Sequence, residues 1–175
     1  MALDHLAFGH SDAPPVTEFD CTFDALTDLT QDLLGQLGVD RYVMYVRDYG
    51  ARFGRRLALR DPAAVTTGIS QSGNAYQEGF VPAFWKTVWG YWKEQTPETE
   101  AGVRQALTPE FTRRQYLTGA ADETPVDPGT WQHDHALLSR PGNDLVQLKP
   151  LLDYATNPPL YPVLHRLVEY EVRHQ

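Results

Sequence analysis

Between Thr22 and Leu37 the apolar residues Phe23, Leu26, Leu29, Leu33, Leu34 and Leu37 recur at intervals of three and four, with Asp20 or Thr22 placed to cap and Gly38 to stop. That period predicts an amphipathic helix over 22–37. Residues 41–60 fit two templates. Tyr42, Val46, Tyr49, Phe53 and Leu57 lie at helical spacing, yet Tyr42 to Val46 is a β-branched and aromatic run, and Gly50 and Gly54 stand where a tight strand-to-helix turn needs small residues. We read a strand at 41–47, a turn at Asp48 and a helix from about 50 to 60. One unbroken helix through this stretch would instead make the chain an all-helical module. Asp61-Pro62 ends the helix, and Val65 to Ser70 reads as a further short strand closing in the loop Ser72-Gly73-Asn74. Strand, helix, strand in this order is the parallel βαβ pattern. Residues 2–8 are short and apolar enough for one more strand, followed by loop from Gly9 to Pro15.

From Phe80 the pattern changes to helices. Thr96-Pro97-Glu98 and Thr108-Pro109-Glu110 each place a cap before a proline at the first helical position. Further helices are predicted at 144–155 and 160–173. The fold class is therefore α/β, with a strand-containing layer over 1–79 and a helical region over 80–175.

Composition changes this picture little. With 42% hydrophobic and 22% charged residues in 175, and four Trp, nine Tyr and seven Phe, the chain fits one globular domain with enough apolar area for a core. A net charge of −8 argues against a nucleic-acid partner, since phosphate binding needs a basic face. The local cluster Arg52, Arg55, Arg56 and Arg60 reads as the solvated face of a helix. The single Cys21 makes no internal disulfide. With neither a basic leader nor a run of about 18 apolar residues, the expectation is a cytoplasmic protein with no membrane contact.

Chemistry enters at Asp48. A sharp turn between a parallel strand and its helix lifts one side chain above the sheet, beside backbone N–H groups and the helix N-terminus. A carboxylate there can attack saturated carbon and form an ester, while the N–H of Tyr49 steadies negative charge. The alternative is a carboxylate that only caps the helix. His133-Asp134-His135 could chelate a metal if extended, and Glu171 with His174 has the i, i+3 spacing of a ligand pair, but neither has a matching second half elsewhere. Both read as polar surface, and no metal or other cofactor is expected.

Residues 42–51, Tyr-Val-Met-Tyr-Val-Arg-Asp-Tyr-Gly-Ala, resemble the nucleophile strand and turn of an α/β-hydrolase with an aspartate nucleophile. Residues 4–12, Asp-His-Leu-Ala-Phe-Gly-His-Ser-Asp, are similar to that family's loop Asp-x-x-Gly-Phe-Gly-x-Ser-Asp, with Ala7 in place of its first glycine. The stretches Ile69 to Gly79 and His135 to Asn143 are similar to segments of a bacterial branch related to epoxide hydrolases and haloalkane dehalogenases. The resemblance implies a partial α/β-hydrolase core at 1–79 and a helical cap at 80–175. It further implies an ester on Asp48, the Tyr49 N–H as an oxyanion donor, and a small hydrophobic organic substrate. Trp85, Trp89, Tyr91, Trp92 and Trp131 would wall the pocket, and one of Tyr76, Tyr91, Tyr116 or Tyr154 would give a proton to an opening epoxide.

The same resemblance places parts outside this chain. The water-activating histidine and its acid would follow Gln175, and His174, in a predicted cap helix, is a poor substitute. The alternative acid position after the second strand offers Gln71, Ser72 and Asn74. The loop giving the second oxyanion donor would precede Met1. We therefore expect a chain truncated at both ends and incomplete or inactive alone. The alternative is a non-catalytic remnant that binds a hydrophobic ligand or a partner chain, with an exposed sheet edge beside Asp48 open to self-association. Arg47, Arg52 and Arg55 also stand where relatives carry mostly apolar or small residues.

Overall fold

The computed structural model describes residues 1–166. Its elements are α1 (Phe23–Gln36), β1 (Tyr42–Arg47), α2 (Gly50–Arg60), β2 (Val65–Gln71), α3 (Pro82–Lys93), α4 (Pro97–Arg104), α5 (Pro109–Leu117), α6 (Pro128–Leu138) and α7 (Asn143–Asp153), joined by short 3-10 turns. A last helical stretch begins at 161. The rest of the helix expected over 160–173, with Glu171 and His174, lies outside the described residues.

The chain divides into two compact units. One comprises Thr22–Ala83 with the segment from Asp153 onward, and the other Met1–Cys21 with Phe84–Leu152.

In the first unit the amphipathic helix forms as its period predicts. Thr22 Oγ1 accepts from the Ala25 N–H at 3.2 Å, the Asp153 carboxylate accepts from the Phe23 N–H at 2.7 Å, and Gly38 takes φ +66° just past the end. β1 and β2 pair in parallel, with Tyr45 opposite Ile69 and Arg47 opposite Gln71, as the βαβ order requires. Met44 and Val46 turn toward α2, whereas Val43 and Tyr45 on the opposite face are 62% and 61% exposed and Ile69 on β2 is 51% exposed. Phe23 and Leu26 of α1, Val46, and Ala51, Phe53 and Leu57 of α2 form the buried centre. The Phe23 and Phe53 rings lie 5.4 Å apart.

In the second unit Val88, Tyr91, Val103 and Leu148 form a core against which Trp85, Trp92, Leu151 and Leu152 pack. The two Thr-Pro starts behave as read, with Thr96 and Thr108 capping α4 and α5 through their hydroxyls.

The strand expected at 2–8 does not form. Ala7 adopts φ +73° and Gly9 φ +51°, and the chain closes on itself through Phe8 N–H to His5 O (2.8 Å) and Ser11 N–H to Phe8 O (3.1 Å). The Asp4 carboxylate accepts from the His10 N–H at 2.9 Å, which spends on a local loop the groups a strand would give to a ladder. This loop is the segment 4–12 singled out in the sequence, and it is held by the segment 135–143. Arg140 donates to Ser11 O at 2.9 Å and to Ala7 O at 3.3 Å.

Candidate active site

Asp48 sits where β1 ends and α2 begins, with φ +47°. The left-handed region is costly for a residue with a side chain, though less so for aspartate, and Ala7 and Ser72 also adopt it. The turn is closed by Ala51 N–H to Asp48 O (3.1 Å) and Arg52 N–H to Tyr49 O (2.8 Å), and Asp48 is exposed just before the N-terminus of α2. The chain is not one continuous helix over 41–60.

Two tight packings fix the turn. A Cβ on Gly54 would lie 2.5 Å from Val46 Cγ1 and 2.6 Å from Met44 Sδ, so α2 lies against β1 closely enough to demand glycine there. After β2, Ser72 (φ +50°) turns the chain so that Gly73 lies against Ala51. The loop 72–74 thereby meets the first turn of α2. Tyr49 is half-buried, its ring edge-on to Phe23 at 5.4 Å and 6.1 Å from Tyr154. Burial, and then the neighbouring Asp48 charge, push its hydroxyl pKa upward, so it is a neutral phenol at any ordinary pH. Tyr154 is shifted the same way, chiefly by burial, and its hydroxyl accepts from Arg52.

The arginines depart from their expected place. Arg52 and Arg56 are 3% and 4% exposed, not a solvated face. Arg52 donates to Asn74 O as well as to Tyr154, and Arg55 donates to Asn74 O and to Gly73 O (2.6 Å), so together they hold the loop after β2. Arg56 reaches Asp24 Oδ1 (3.0 Å), Asn157 Oδ1 (2.6 Å) and Thr156 Oγ1 (2.8 Å). Apart from Asp24 and the Arg52 carbonyl, their acceptors lie about a hundred residues downstream or on loop carbonyls, which no local spacing announces. The four arginines share one face of α2, so nothing local distinguishes the buried Arg52 and Arg56 from a solvated pair. Arg47 is exposed.

The aromatic residues expected to wall a pocket all belong to the other unit. Tyr91 is in its core, Trp85 and Trp92 pack on that core, and Trp92 Nε1 donates to Leu151 O at 2.8 Å. Trp89 is 37% exposed on α3. Trp131 on α6 borders an open cavity of about 260 Å³ with Pro109, Arg113 and His135. Of the tyrosines, Tyr76 stacks on His165 at 4.4 Å and Tyr116 donates to Asp134. His133, Asp134 and His135 lie within α6, so the extended spacing that would let them chelate together is not realised. Among the described residues no cluster of three or more His, Cys, Asp or Glu could hold a metal.

A family model describing the α/β hydrolase fold matches residues 1–156. The chain belongs to that family. An uncharacterised hydrolase of Saccharomyces cerevisiae is 33% identical over 171 residues, covering 96% of this chain and 58% of the yeast protein. A candidate epoxide hydrolase of Pseudomonas aeruginosa, solved as a point mutant, is similar with TM-score 0.65 at 19% identity, over 93% of this chain and 55% of that one. A loop variant of a haloalkane dehalogenase from Bradyrhizobium elkanii is similar with TM-score 0.63 at 16% identity, over 95% and 57%. The chain thus spans a little over half the length of these relatives, and its fold is a partial α/β-hydrolase fold with a helical region, as its sequence led us to expect. No helix among the described residues is long and apolar enough to cross a membrane.

The strained turn gives a first prediction. Asp48→Ala is expected to lower stability by about 1 kcal/mol, because alanine lacks the polar side chain that eases left-handed backbone. Asp48→Gly should be at least as stable as the parent. Urea midpoints rank the three, and a glycine variant weaker than the alanine variant would contradict the strain.

Proposed function

We propose that Asp48 is the nucleophile of an epoxide hydrolase- or haloalkane dehalogenase-type reaction on a small hydrophobic organic substrate. The observation that carries this reading is a carboxylate held at φ +47° between a parallel strand and its helix, in a chain of the α/β-hydrolase family. One carboxylate oxygen attacks saturated carbon. A C–O ester bond forms, and either the epoxide C–O bond breaks, its oxygen taking a proton, or the carbon–halogen bond breaks and halide leaves. The Tyr49 N–H, at the start of α2, serves as one donor to the oxygen that becomes negative when the ester is opened.

The loop after β2 holds Gln71, Ser72, Gly73 and Asn74, so it offers no carboxylate to orient a water-activating histidine. Incubation with a panel of epoxides and haloalkanes should yield one covalent adduct per chain by intact mass, absent from Asp48→Asn. Absence of both adduct and product across the panel would sink the nucleophile.

The exposed Val43, Tyr45 and Ile69 favour a second reading, in which the strand pair is completed by another polypeptide and the chain is a non-catalytic binding remnant. Sedimentation as a monodisperse monomer counts against self-association through this sheet.

A further inference from the structure

We infer that His10 and His133 together bind one divalent transition-metal ion of the zinc or nickel class, where the opening loop meets α6. Their ring centroids are 5.1 Å apart and the ring planes are inclined at 46°. Metal–nitrogen bonds of about 2.0–2.1 Å put an ion ~3.2 Å from the centre of each imidazole, so two rings in adjacent coordination positions have centroids about 4.5–5.2 Å apart. The observed spacing lies in that range. The ion can therefore be reached by turning side chains, without moving either backbone.

Both backbones are already fixed. The His10 N–H donates to the Asp4 carboxylate at 2.9 Å, and Arg140 holds the same loop through Ser11 O at 2.9 Å. His133 lies in the middle of α6, whose first turn Asp127 caps by accepting from the Gly129 N–H at 2.8 Å. Ligands carried on fixed elements spare an ion the cost of ordering them. Other histidines are committed to protein groups: the His135 ring nitrogens lie 3.4 Å from Thr112 Oγ1 and 3.0 Å from Ser139 Oγ, and His165 Nε2 lies 2.8 Å from Ala75 O. His10 and His133 are instead exposed, side by side. Two imidazoles held this close repel when both are protonated, whereas a dication bound to their neutral forms ties loop and helix together. His133 thus finds its second ligand in the opening loop and not in His135, two positions along the helix. Paired imidazoles select zinc, nickel or copper over magnesium and calcium, which take oxygen ligands. With water completing the shell, this is a site for an exchangeable ion, and it is independent of any role for Asp48.

The test adds zinc chloride to the full chain and follows the ring nitrogens of its six histidines by two-dimensional proton–nitrogen NMR, with magnesium chloride as the control. We expect the His10 and His133 signals to shift together, saturating at one zinc per chain, and Tm to rise with zinc but not with magnesium. His10→Gln and His133→Gln, both at exposed positions, should each weaken zinc binding at least about tenfold, since a lone imidazole loses the advantage of two linked ligands. A His10 or His133 ring left unshifted at saturating zinc would overturn the inference, as would zinc affinity unchanged in either variant.

Discussion

Arg56→Met is expected to lower the free energy of unfolding by about 3 kcal/mol, the scale reached when a buried charged hydrogen-bonding group is removed and its partners stay behind. The side chain binds three elements at once: Asp24 on α1, the Arg52 carbonyl within α2 (3.4 Å), and Thr156 and Asn157 beyond α7. Its guanidinium also lies 5.3 Å from the centre of the Phe23 ring. Asp24 contributes little of this, being 68% exposed and screened by water. Asp24→Asn should accordingly cost less than about 1 kcal/mol. The loss comes instead from stranding Asn157, whose amide already donates to Tyr154 O at 3.0 Å and whose side-chain oxygen has Arg56 as its donor. Arg56→Lys should recover only part of it, since a compact ammonium lacks the planar fork that spans acceptors on separate elements. Urea denaturation of the three variants decides the point, and an Arg56→Met loss no larger than that of Asp24→Asn would show that the hub is an ordinary surface pair.

Gly54→Val is expected to cost about 2–3 kcal/mol, the range for forcing extra carbons into a filled core. Its Cβ would stand 2.5 Å from Val46 Cγ1 and 2.6 Å from Met44 Sδ. The methionine can swing aside, but the β-branched valine has no free rotamer to yield. α2 must then lift from β1, and the bend between them carries Asp48. Pairing Gly54→Ala with Val46→Ala should recover at least about 1 kcal/mol relative to the sum of the single changes, because the two positions compete for one space. Additive losses in that cycle would mean that Gly54 is needed for some other reason.

The strand, turn and helix around Asp48 could be read directly, because β-branched and aromatic composition and two glycines agree with the geometry that tertiary packing then imposes. The caps at Thr22, Thr96 and Thr108 were legible for the same reason, since each lies within three residues of the N–H it serves. Residues 2–8 were misread as a strand. Their apolar content suits a strand, but Asp4 and Ser11 bind nearby backbone and the left-handed Ala7 bends the chain, a local competition that hydrophobic pattern does not register. The buried arginines were misread because their acceptors come from Gly73, Asn74 and residues 154–157. A helix face looks solvated until the segment that covers it is known.

The Arg140 clasp on the opening loop sets an order of events during synthesis. Ser11 O and its donor are separated by 129 positions. At the ribosome's ~5–20 residues per second, the first loop waits roughly ten seconds before its clasp has even been translated. Throughout that interval the Ala7 and Ser11 carbonyls have only water for a partner, and chaperone capture of nascent chains should fall off once Arg140 has emerged from the ribosome.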